Sequence, residues 1–151
     1  MNAQQKQKQK GFTIIEVVLV LAIAGLIFLM VFIALPALQR SQRDTQRKND
    51  LSRAITAVNS YQSNNRGRLP ANWSDFKTSY LEASNDTFTD PNGTDYSFVT
   101  GTPPSSFNGD GKVYYTTGAT CNGESVTTGQ GANKVALQMK LEGGGITCEN
   151  N

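Results

Sequence analysis

The sequence predicts an α+β protein: a long N-terminal helix, first apolar and then amphipathic, packed on a small antiparallel sheet. Three observations carry this. Residues Val17–Leu35 read VVLVLAIAGLIFLMVFIAL without one polar side chain. Beyond them Leu51, Ala54, Ile55, Val58 and Tyr61 recur at the spacing of one helix face. The rest is rich in Gly, Ser, Thr and Asn, with short alternating segments that suit strands and turns.

The apolar run comes first. At about 1.5 Å per residue it covers roughly 28 Å, close to the ~30 Å hydrocarbon core of a bilayer. A buried core helix of this length would need more apolar mass around it than the chain supplies. A cleaved secretory signal is the stronger rival, because Lys6, Lys8 and Lys10 precede the run. The run outlasts the usual signal core, however, and PALQRSQR follows it instead of a small-residue cleavage site. It therefore reads as a retained anchor. Charge counting does not orient it, since Arg40, Arg43, Arg47, Lys48 and Arg53 follow closely. The cysteine pair argues for an outside head.

Composition narrows the chemistry. The net charge of +2 depends on the three leader lysines, and removal of residues 1–11 turns it into −1. There is no histidine, the commonest acid–base side chain near neutral pH. Zinc-type ligand spacing, a phosphate-binding glycine loop and a nucleophile elbow are all missing from the sequence. Nothing in the chain argues for an enzyme or a bound cofactor.

The segment Lys10–Leu26, KGFTIIEVVLVLAIAGL, closely resembles the class III signal of type IV pilins and pseudopilins: a short basic leader, Gly11, the aromatic Phe12, and Glu16 within an apolar run. An acidic residue at the start of a span is costly and usually functional. The resemblance implies cleavage by a prepilin peptidase between Gly11 and Phe12, N-methylation of Phe12, and a role for Glu16 in assembly. Gly11 suits such a site because no Cβ obstructs an extended backbone. Gly25 agrees with the family's flexible helix position, whereas Pro36 lies about one turn later than in many pilins. A kink is expected there, with the stretch between Gly25 and Pro36 able to loosen on assembly. The resemblance also implies a helical homopolymer, minor pilins, an assembly platform with its ATPase, and tasks in attachment, motility or DNA uptake. A pseudopilin of a type II secretion system is the alternative. A signal-anchored binding domain that never polymerises is a rival of another class.

The expected organisation is a leader over 1–11, a membrane-spanning helix over 12–38, an amphipathic helix over 39–65 and an α+β head over 66–151. Arg43, Arg47, Asn49 and Ser52 are expected off the apolar stripe. The five basic and two acidic residues from Arg40 to Arg53 read as a solvated face, or as a surface for lipid head groups or neighbouring subunits. Nucleic acid fits least, since no aromatic rings interleave with the arginines. The helix should end at Asn64–Gly67, in NNRGRLP. In the head, Asp75–Glu82 reads as a short helix and Tyr96–Thr100, Lys112–Thr117 and Val135–Leu141 as strands. In the last, Val135, Leu137, Met139 and Leu141 are expected on one face, with Lys134, Gln138 and Lys140 on the other. Cys121 and Cys148 read as a disulfide closing the tail, with two free thiols as the rival, and C-terminal disulfide loops are common in pilins. Asp90-Pro91-Asn92-Gly93-Thr94-Asp95 is similar to a loop of major pseudopilins, some of which bind calcium nearby. Asp86, Asp90 and Asp95 are thus candidate calcium ligands, although a proline-initiated turn is the plainer reading. Asn72, Asn85 and Asn92 each begin a glycosylation sequon.

Overall fold

In the computed structural model, residues 11–83 and 86–151 are described. The leader lysines and the Asn85 sequon lie outside them. The chain divides into two units, one ending at Leu38 and the other beginning at Gln39.

Helix α1 runs Ile14–Asn64, 51 residues, and is continuous through Pro36. Proline lacks the N–H that would close one helical bond, so the helix passes it at the cost of that bond without ending there. Thr13 caps the N-terminus: its Oγ1 accepts from the Glu16 N–H at 3.3 Å, and its carbonyl accepts from Glu16 and Val17. Thr13-Ile14-Ile15-Glu16 thus has the spacing of a capping box. The other end is equally definite. The Gly67 N–H reaches back to the Gln62 carbonyl at 2.8 Å, while Arg66 and Gly67 take left-handed backbone with φ of 54° and 77°.

In the first unit, nearly every apolar side chain from Phe12 to Leu38 is exposed. The second unit is built the opposite way. Leu51, Ala54, Ile55 and Val58 are buried on α1 and meet Phe76, Phe88, Tyr96, Val113, Leu137 and Met139 in one apolar core. Helix α2 (Trp73–Phe76) is capped by Asn72, whose Oδ1 accepts from the N–H groups of Ser74 and Asp75. It leads directly into a π-helical turn, Lys77–Leu81. The expected helix is present, begins two residues earlier, and changes pitch midway. Trp73 stacks on Tyr115 with ring centroids 4.4 Å apart.

The main sheet has four strands: β1 (Ser97–Thr100), β2 (Lys112–Thr117), β5 (Val135–Lys140) and β6 (Ile146–Asn150), in the order β1-β2-β5-β6. Strand pairs β2/β5 and β5/β6 are antiparallel, but β1 pairs with β2 in parallel, Ser97 opposite Lys112 and Thr100 opposite Tyr115. The sheet is thus antiparallel except at its β1 edge. The loop from Gly101 to Gly111 is long enough to bring the chain back to the starting end of β1, which a tight hairpin cannot do. A second, two-stranded sheet joins β3 (Ala119–Asn122) to β4 (Ser125–Thr128) through Gly123 and Glu124. Gly123 has φ of 63°, as a two-residue hairpin with glycine first requires.

Strand β5 departs from the alternation expected of it: Val135 through Met139 are all buried. One face meets α1. The other turns Gln138 toward the β3–β4 hairpin, where its Nε2 donates to the Glu124 carbonyl at 2.7 Å. Cys121 on β3 and Cys148 on β6 form the disulfide, so the hairpin is bonded covalently to the sheet edge.

Candidate functional site

Two groups of residues carry chemistry, one in each unit. In the first, Gly11 and Phe12 precede α1 and Glu16 lies in its first turn. Phe12 is 84% exposed, and a Cβ placed on Gly11 would meet nothing within 4 Å. The same is true of Gly25 in mid-helix. Neither glycine is therefore required by packing among the described residues. Glu16 borders a shallow apolar groove with Phe12, Val17, Val20 and Leu21. Its carboxylate has no ion-pair partner among the described residues. The Thr13 cap was readable in the sequence as T-x-x-E and gives Glu16 a local role: an acid in the first turn faces the positive end of the helix dipole.

The second group is a buried ion cluster on α1. Arg47 is 1% exposed. Its Nε and Nη2 donate to the two carboxylate oxygens of Asp90 at 2.7 and 2.8 Å, a bidentate pair. Nη1 donates to Asp44 Oδ1 at 2.8 Å and lies 3.5 Å from Glu142, while the guanidinium covers the Phe107 ring. Asp44 in turn accepts the backbone N–H groups of Glu142 and Gly143 at 2.9 and 2.7 Å. Arg43 clamps the Glu142 carboxylate with bonds of 2.8 and 2.6 Å. Helix α1 is thereby fastened to the Asp90 loop and to the β5–β6 turn.

The electrostatics follow. Burial opposes the Arg47 charge, but the bonds from Asp90 and Asp44 outweigh it and its pKa is raised. The hydrogen bonds from Arg43 hold Glu142 down at about 2. Burial pushes Tyr96 up, and its hydroxyl donates to Asp50 at 3.2 Å.

This cluster corrects two expectations. Arg47 does not lie off the apolar stripe. Positions 44 and 47 continue the row 51, 54, 55, 58, so Asp44 and Arg47 are buried with it. Nor do the loop carboxylates converge. Asp90 is committed to Arg47, Asp95 accepts from Lys77 at 2.7 Å, and Asp86 pairs with Arg53. Among the described residues no group of three acidic, His or Cys side chains is placed to hold a metal. Protein cations hold both carboxylate oxygens of Asp90 and one each of Asp95 and Asp86. The turn reading holds instead: the Gly93 N–H donates to the Asp90 carbonyl at 2.8 Å around Pro91.

The fold and these residues define a class: an α+β head whose first helix is long and apolar enough to cross a membrane, with one acid near its start. Residues 6–32 match the family described as the prokaryotic N-terminal methylation motif, the class III prepilin signal of type IV pilins. The match supports a membrane-anchored protein of the type IV pilin or pseudopilin type. No curated protein and no solved structure matches the chain.

Proposed function

We propose that this chain is the structural subunit of a type IV pilus. It is held in the membrane by residues 12–38, cut by prepilin peptidase between Gly11 and Phe12, methylated on Phe12, and polymerised through its N-terminal helix by an assembly platform and ATPase, alongside minor pilins. The filament then stands on the cell surface and serves attachment, motility or DNA uptake. The observation that carries this is Glu16, an acid in an apolar span with no ion-pair partner in its own chain among the described residues. A plain anchor gains nothing from such a group, whereas a subunit can use it to meet a charge on its neighbour. Gly25, unconstrained by packing among the described residues, and Pro36 bound a stretch that can loosen on packing. A pseudopilin in a secretion filament would share all of these features.

Intact mass of the subunit in sheared filaments tests the processing step. It should equal a chain beginning at methylated Phe12, and Gly11→Ile should leave uncut precursor in the membrane. Normal maturation of that variant would sink the cleavage assignment. Filaments on the cell surface separate pilus from secretion system.

A further inference from the structure

A second site lies where α1 ends. Tyr61, Asn64, Asn65, Arg66, Arg68 and Leu69 line a groove of about 420 Å³. An adjoining depression of about 270 Å³ shares Tyr61 and continues past Asp75 and Tyr80. The aromatic wall is rigid, because Tyr61 packs edge-on against Phe76 and Tyr80 at 5.8 and 5.3 Å between centroids. Asn64 Nδ2 donates to the Tyr80 hydroxyl and Asn65 Nδ2 to the Tyr61 carbonyl, which leaves both amide oxygens unengaged among the described residues.

The two arginines mark the site. Elsewhere in the head Arg43, Arg47 and Arg53 each hold a carboxylate. Arg66 and Arg68 have neither a carboxylate nor a hydrogen-bond partner for their side chains among the described residues. Arg66 is also the one non-glycine residue with left-handed backbone among those described, with φ of 54°. That conformation is unfavourable for an arginine and ordinary for glycine. The fold alone would be served better by glycine, so the guanidinium is placed there against local preference.

We propose that this groove binds an acidic saccharide, a uronate-bearing sugar chain. Guanidinium groups pair bidentately with carboxylates. The unengaged amide oxygens accept from sugar hydroxyls, and the tyrosine ring covers the C–H face of a pyranose. Single-stranded nucleic acid is the competing polyanion. Tyr61 and Tyr80 meet edge-on, 63° between their planes, so they offer no pair of parallel faces on which successive bases would stack.

The test titrates the full-length processed protein in neutral-detergent micelles with trigalacturonate, with neutral maltotriose and oligo-dT as parallel probes. Saturable, salt-sensitive binding of trigalacturonate alone is expected. Arg66→Gly should weaken it roughly tenfold or more, and its thermal midpoint should equal or exceed that of the parent. Arg40→Gln, which removes an exposed arginine elsewhere, should leave the affinity unchanged. No saturable binding at millimolar trigalacturonate would overturn the proposal, as would equal loss in Arg40→Gln or tighter binding of oligo-dT. Unchanged affinity in Arg66→Gly would reduce the arginine to a partner of the helix C-terminus and overturn it too.

Discussion

Arg47 shows how much one side chain sets in this head. A guanidinium removed from water must be matched on every donor, and here Asp90 and Asp44 take its strong bonds while Phe107 covers its face. Arg47→Ala leaves two carboxylates facing each other across an emptied site. Urea unfolding should show a loss of about 3–5 kcal/mol, and Arg47→Met combined with Asp90→Leu should recover much of it. A loss below about 1 kcal/mol in the single variant would assign the cluster the weight of a surface ion pair. Its acid sensitivity has a definite sign. Glu142 is held at about 2 against an ordinary 4.5, first by Arg43 and then by Arg47, with Arg40 also near. The stabilisation it gives is complete above pH 4.5 and is lost as pH falls toward 2. Asp110, held low by Lys112 and Asn108 against its own burial, acts in the same direction, while Asp50, raised by burial, acts in the opposite one. Glu142→Gln should therefore flatten the acid limb of a stability–pH profile between those limits. An acid limb as steep as the parent's would show that other carboxylates set it.

At the scale of elements, the strands were legible where period and turn chemistry agreed. Lys112–Thr117 is β2 as read, following Asn108-Gly109-Asp110-Gly111, and Ser97–Thr100 and Val135–Lys140 lie within a residue of their expected bounds. Helix α1 stops where NNRGRLP said it would. What stayed hidden depends on tertiary neighbours. Gln138 is a surface residue by alternation alone, and it is buried only because the β3–β4 hairpin lies against that face. The hairpin itself has mostly small polar residues, a composition that reads as loop. Asp44 and Arg47 were hidden by their chemistry, since charge suggests solvent although their spacing continues the stripe. The disulfide was legible because only two cysteines exist. It spans 27 residues and holds the weakly patterned hairpin to β6. Cys148→Ser should cost about 3–4 kcal/mol and expose β3–β4 to proteolysis ahead of the main sheet. Simultaneous digestion of both sheets would show that the bond stabilises the head without tethering the hairpin.

At the scale of the whole molecule, the two units solve the problem of apolar surface differently. The head buries its own. Residues 12–38 leave theirs exposed, so another phase must cover it, the lipid tails or the same helices of other subunits. Glu16 distinguishes between these settings. In lipid a carboxylate in the first turn costs a few kcal/mol unless it is paired, protonated or drawn to the head groups. Cleavage after Gly11 would create an amine on Phe12, four residues away, and between packed helices that amine on a neighbour can neutralise Glu16. The pair would then fix axial register as well as charge. Glu16→Leu removes the penalty and the partner together. It should enter the membrane at least as well as the parent and reach the same steady level there. It should fail to form filaments alone, and enter them only when parent subunits are present. Membrane fractions and sheared surface material from the same cells measure both halves. Abundant filaments of Glu16→Leu alone would show that assembly does not depend on this carboxylate, and the Thr13–Glu16 cap would then be the role left to it.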